Sequence, residues 1–150
     1  MAFPRALDCS LALLLGVAPL SACAESCAPV VEGGWIRNPP AALPMLAGYA
    51  RISNPCKGEV VVVGASSPAF AEATLHATTV ENGISRMRET RALRVPPGKL
   101  VALEPGGMHL MLMHPTHRLR QGEQVVITFQ LADGRTLDAR FEVKGPKAVK

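Results

Sequence analysis

Residues 71–90, AEATLHATTVENGISRMRET, hold the pattern that decides the fold: two strand-like runs on either side of Asn82-Gly83. Asn-Gly between such runs is the strongest short-range hairpin signal, because a two-residue turn needs positive φ at both positions. The same grammar extends in both directions. Strand-like runs cover 48–53, 59–65, 71–78, 84–90, 99–103, 109–113, 123–130 and 135–143. Between them stand Asn54-Pro55, Ser66-Ser67-Pro68, Pro96-Pro97-Gly98, Pro105-Gly106-Gly107, Gln121-Gly122 and Asp133-Gly134. After residue 24 no stretch keeps a helical period. Short strands with turn signals about every 8–12 residues predict an all-β Greek-key β-sandwich, with a closed barrel as the alternative.

The start of the chain reads differently. Arg5, the apolar run 11–20 and the small residues Ser21-Ala22-Cys23-Ala24 follow the order of a secretory signal. The run is half the roughly 20 residues that span a bilayer. Cleavage before Glu25 makes 1–24 a signal peptide; a lipobox reading of Leu20-Ser21-Ala22-Cys23 ends it at 22 and lipidates Cys23. The division expected is therefore a signal, an N-terminal arm over 25–44, a β-sandwich over 45–143 and a tail over 144–150. The Gly- and Pro-rich composition of 33–44 is what suggests the arm. Either route removes Cys9 and leaves Cys27 and Cys56 as the remaining pair. In an exported, periplasmic protein an even count favours a disulfide. Two thiolates on a metal, or a redox pair, is the rival reading.

Composition excludes some functions. Removing the signal takes Arg5 and Asp8 together, so the net charge of +4 persists. The arginines are dispersed apart from one group over 86–94, and the chain has one Trp and one Tyr. Nucleic-acid binding would need clustered bases interleaved with stacking aromatics. No C-x-x-C and no evident Ser, His and Asp constellation supports an enzyme.

The residues that can carry chemistry are His and Met. In Met108-His109-Leu110-Met111-Leu112-Met113, strand alternation puts His109, Met111 and Met113 on one face and the apolar partners on the other. With a two-residue turn at Asn82-Gly83, Thr78 faces Met87 and His76 faces Glu89. His76 and Met87 are then diagonal neighbours on one face, about 7–8 Å apart at the backbone. If that hairpin packs beside the His109 strand, two imidazoles and two thioethers converge. Thioether is a soft, neutral ligand that favours Cu(I). Zn(II), Mg(II) and Ca(II) would call for thiolate or carboxylate.

The spacing His76, ten residues, Met87, twenty-one residues, His109, one residue, Met111 resembles the H-x(10)-M-x(21)-H-x-M pattern of the PCu(A)C-type periplasmic copper chaperones. Flanking residues agree: Trp35-Ile36-Arg37, Ala47-Gly48-Tyr49, Gly64-Ala65-Ser66-Ser67-Pro68, Met87-Arg88 and Pro105-Gly106-Gly107. The resemblance spans about 30–143. It implies a cupredoxin-like β-sandwich binding one Cu(I) per chain through His76, Met87, His109 and Met111. It further implies a monomeric, non-enzymatic metallochaperone that supplies the copper A site of cytochrome c oxidase subunit II, alone or with a Sco-type chaperone. Membrane association would follow only from lipidated Cys23. Many relatives carry Glu after the first His, where this chain has Ala77. His114, His117, Met45 and Met113 are candidate auxiliary ligands. A buffering or resistance protein shares the same site, and a cupredoxin-type electron carrier is the more distant alternative, since it would need a Cys ligand.

Overall fold

Alternation of apolar and polar side chains builds ten strands in a computed structural model of the chain, which describes residues 27–145. They are β1 (Val30–Arg37), β2 (Met45–Ser53), β3 (Val60–Ser66), β4 (Phe70–Glu81), β5 (Ile84–Glu89), β6 (Leu93–Val95), β7 (Leu100–Leu103), β8 (Met108–Pro115), β9 (Gln124–Leu131) and β10 (Thr136–Lys144). The expected all-β class holds. Among the described residues no helix is long and apolar enough to cross a membrane. The signal, Cys23 and residues 146–150 lie outside the described residues.

The strands lie in the order β5-β4-β8-β2-β1-β10-β9-β3-β6, with β7 paired to β2. β3 also meets β4 at Ala65↔Ala73, which wraps the sheet around one core. That core is filled from both walls by Ile36, Ile52, Leu110, Leu112, Ile127 and Phe141, all 0% exposed. Phe129 and Phe141 pack with ring centroids 6.2 Å apart, close enough for a tilted aromatic contact.

Two elements differ from the sequence expectation. Residues 30–37, assigned above to an arm, form β1 in the middle of the sheet, antiparallel to β2 and parallel to β10. The glycines that suggested an arm serve a bulge. Gly33 has φ +62°, and a Cβ on Gly34 would lie 2.6 Å from the Arg140 carbonyl oxygen. Only glycines let β1 kink between Glu32 and Trp35 and still fit against β10. The second element is β6, whose three residues pair with β3 and are too few to show a period.

β2 carries two partners on one edge: residues 45–48 pair with β8, and residues 50–53 with β7. The turn Glu104–Gly107 lets the chain leave one register and resume the other. Gly106 takes φ +82°, and Glu104 and Met108 are joined by a 2.7 Å backbone hydrogen bond across the turn.

The end of β2 far from Met45 is tied by a covalent and a polar lock. Cys27 and Cys56 form a disulfide, Cα–Cα 5.6 Å, across 29 positions of sequence. Beside it Asn54, 1% exposed, donates from Nδ2 to the carbonyls of Gly58 (2.8 Å) and Val95 (2.9 Å). Its Oδ1 accepts from the Cys56 N–H at 2.9 Å. One side chain thus joins β2, the following loop and β6. Asn54→Ala strands three buried or part-buried polar groups. It should lower unfolding free energy by about 2–3 kcal/mol, read as a shift in the urea midpoint. Reducing the disulfide should cost about 3–4 kcal/mol by loop entropy, measured in the same assay with and without reductant.

Candidate metal centre

The β4–β5 hairpin closes on Asn82 (φ 53°) and Gly83 (φ 76°), both left-handed as a two-residue primed turn requires. Its register puts Thr78 opposite Met87 and His76 opposite Glu89. On its other side β4 pairs with β8, and there His76 lies directly opposite His109 while Thr74 lies opposite Met111. Ala73, Leu75, Leu110 and Leu112 take the inward positions of these two strands and are buried. Alternation then sends Thr74, His76, Thr78, Met87, His109 and Met111 to the outer face.

All four residues singled out in the sequence share that face. The His76 and His109 rings have centroids 6.0 Å apart. Met111 follows His109 by two residues along β8, and Met87 sits diagonally from His76 on β5. His109 is only 4% exposed, whereas Met87 is 53% exposed. The face therefore combines one buried and immobilised donor with one open and adaptable donor.

Both imidazoles are oriented by neighbours. His109 Nδ1–H donates to the Gly107 carbonyl at 3.1 Å, and a carbonyl only accepts, so Nε2 keeps the lone pair. The same carbonyl accepts from the Thr78 N–H at 3.1 Å, which fastens β4 to the start of β8. His76 Nε2 lies 3.0 Å from Thr74 Oγ1. Its Nδ1 is buried and has no partner, the one such side-chain atom among the described residues. A buried polar atom left unpaired costs about 1–3 kcal/mol unless something binds it. With Nε2–H donating to Thr74, Nδ1 presents a lone pair that suits a metal.

The donor set is neutral. Among the described residues no group of three or more His, Cys, Asp and Glu gathers to hold an ion. Two imidazole nitrogens with thioethers fit a soft monovalent metal rather than a hard or thiolate-seeking one. Burial pushes the His76 pKa below its ordinary 6.5, and the neighbouring His109 lowers it further, against weaker opposing pulls from Glu89 and Glu72.

The auxiliary candidates lie farther off. Met113 is about 13 Å along β8 from His109, against about 7 Å for Met111. Met113 pairs with Met45, which is 47% exposed. His114 stands at the end of β8, about 17 Å from His109, in a left-handed conformation (φ 51°). His117 is held by Glu123 at 2.7 Å. Both line a groove of about 870 Å³ with Pro39, Pro40, Leu43 and Leu119, and none of His76, Met87, His109 and Met111 lines it. The candidate centre lies on the β4–β5–β8 face, away from that groove.

Three features of this face escaped the sequence reading. Thr74 orients the His76 ring, and the Gly107 carbonyl sets the His109 tautomer. An aromatic row also leads to the centre: Trp35 and Tyr49 have centroids 4.5 Å apart, and Tyr49 and His109 6.4 Å. Tyr49 is 6% exposed, and burial raises the pKa of its hydroxyl. Strand alternation could have put Tyr49 on the His109 face, but only with β2 known to lie beside β8.

The sign of the His76 shift sets a pH dependence. In the unfolded chain His76 gains its proton near 6.5, while the folded chain resists it until lower pH. Stability of the metal-free protein should therefore fall as pH drops below 6.5 and level off below the folded pKa. His76→Gln should flatten this window relative to wild type, measured by urea unfolding across it.

The model of the LpqE-like family, described as putative lipoprotein LpqE-like, matches residues 30–143. A putative lipoprotein, Lxx21020 of Leifsonia xyli subsp. xyli (strain CTCB07), is 34% identical over 115 residues, covering 76% of this chain and 68% of that protein. The solution structure of CuI-DR1885 from Deinococcus radiodurans is 30% identical, with TM-score 0.65 over 87% of this chain and 85% of that one. The copper-bound PCuAC domain from PmoF2 shares the fold at 19% identity, TM-score 0.66, over 79% of this chain and 93% of that one. These matches bear out the cupredoxin-like β-sandwich. The family match runs from β1 almost to the end of β10, so the chain belongs to the LpqE-like family and is of the PCu(A)C type.

Proposed function

We propose that the protein is an exported, periplasmic copper(I) metallochaperone that binds one Cu(I) through His76, Met87, His109 and Met111 and releases it to a partner. The observation that carries this reading is the unpartnered, buried Nδ1 of His76 beside an immobilised His109. Copper is cargo here. The relatives support it: DR1885 was solved with Cu(I), and the PmoF2 domain was solved with copper.

Neutral ligands suit transfer better than catalysis. Two imidazoles and two thioethers add no charge to the cuprous ion, so a partner thiolate can replace them one at a time without redox change. Met87, exposed on an edge strand, is the natural first ligand to leave, and its exposure favours transfer over long-term sequestration. With four protein ligands on the ion no open position is left for a substrate, and we read the protein as not an enzyme. The electron-carrier alternative lacks its thiolate among the described residues, since Cys27 and Cys56 are bonded to each other. We read the recipient, as the family resemblance implies, as the copper A site of cytochrome c oxidase subunit II, reached directly or through a Sco-type chaperone.

A Cu(I) titration of the processed protein against a chromophoric chelator tests the reading. One tight equivalent is expected, weakened by about tenfold or more in His109→Ala, Met111→Ala and Met87→Ala, as loss of a soft ligand requires. Met113→Ala and His114→Ala should bind as wild type. Binding indifferent to the first three changes would refute the site.

A further inference from the structure

The two ends of the sheet are unlike. One edge, β6, has three residues. The other, β5, has six residues in an unbroken register with β4, all of them exposed. Proteins usually blunt such an edge with proline, charged side chains, a bulge or a covering loop, because its free backbone groups can pair with another chain. β5, Ile84-Ser85-Arg86-Met87-Arg88-Glu89, has no proline, lysine or bulge, and its guard is the charge of Arg86, Arg88 and Glu89, which opposes like-charged strands and admits one of opposite charge beside the arginines.

The register decides which backbone groups are free. The Thr90 N–H donates to the Leu75 carbonyl at 2.8 Å, and the Thr78 N–H donates away from β5, to Gly107. In an antiparallel ladder bonded and non-bonded pairs alternate, so Ile84, Arg86 and Arg88 turn their backbone groups inward to β4. Ser85, Met87 and Glu89 turn theirs outward. Among the described residues Met87 thus turns its N–H and C=O to an edge that no further strand pairs, and its thioether to the His76 face.

Side-chain charge says what can pair there. Arg86 and Arg88 point to the face opposite Met87. Arg86 shares its charge with Glu81 at 3.7 Å, and both side chains are half exposed. A second copy of β5 is a poor occupant. Any antiparallel register that sets Met87 against Ser85, Met87 or Glu89 of the copy puts an arginine opposite an arginine, which is destabilising.

We propose that β5 is a docking edge for an extended acidic segment of a partner protein, added as a further antiparallel strand beside Met87. Carboxylates at alternate positions of the segment face Arg86 and Arg88. The residue between them falls on the Met87 face, where a thioether or thiolate is within reach of the departing copper. Backbone pairing supplies the affinity, and alternate side chains supply the selection. This rests on the copper reading above for its purpose, though not for its geometry.

The test uses metal-free processed protein and a peptide, acetyl-Thr-Val-Glu-Met-Glu-Val-Thr-amide, with a Lys-Met-Lys counterpart. Amide NMR should show shifts and slowed exchange at Ser85, Met87 and Glu89 on adding the acidic peptide. The doubly reversed Arg86→Glu, Arg88→Glu protein should bind it about tenfold or more weakly and prefer the lysine peptide. Ser85→Pro removes only an outward N–H and should also weaken docking. Absence of shifts in excess peptide, equal binding of both peptides, binding elsewhere, or dimerisation through β5 would each overturn the proposal. Cu(I) titration of Ser85→Pro should match wild type. Wild-type protein that docks the peptide but fails to bind Cu(I) would sink the chaperone reading and leave the docking edge standing.

Discussion

Everything at the candidate centre depends on the antiparallel pairing of β4 with β8. That ladder sets His76 against His109 and Thr74 against Met111, and a one-residue slip of either strand would turn its candidate ligands towards the core. The carbonyl of Gly107 is its anchor. It accepts one hydrogen bond from the β4 backbone and one from the His109 ring, so strand register and imidazole tautomer are set at one atom. The arrangement of the candidate ligands is thereby linked to sheet geometry.

The core explains why the ladder holds. Leu75, Leu110 and Leu112 take the inward positions next to the site residues and are almost wholly buried. Burying a leucine side chain contributes about 1.5–3 kcal/mol, so register slips are opposed by several such residues at once. The outer face is free to carry groups chosen for chemistry. The buried His109 ring lies near the Tyr49 ring, on which Trp35 packs, and near the His76 ring. Met87 lies on the outermost strand. The gradient from buried imidazole to open thioether is a property of strand order alone.

The opposite end of the molecule is built for constancy. The Cys27–Cys56 disulfide and the buried Asn54 hold the start of β1, the end of β2 and β6 together. The disulfide restricts the unfolded chain, while Asn54 satisfies backbone groups that the loop would otherwise bury unpaired. With that end tied, β2 can serve as the common partner of β1, β7 and β8, and so carry the centre.

Much of this was legible in the residues. Asn82-Gly83 requires positive φ at both positions, and that local requirement alone sets Thr78 against Met87. Alternation in Met108–Met113 likewise separates His109 and Met111 from the leucines, and the pair Cys27 and Cys56 was enough to expect a disulfide. These are short-range facts, carried by periods and turn chemistry that a sequence displays. Tertiary structure alone decided that β4 lies beside β8, that β1 enters the sheet between β2 and β10, that Asn54 is a buried tie rather than a turn residue, and that Gly107 lends its carbonyl to His109. The physical reason is common to all four. Which strands become neighbours depends on how the whole apolar surface is buried at once, and no local period records it.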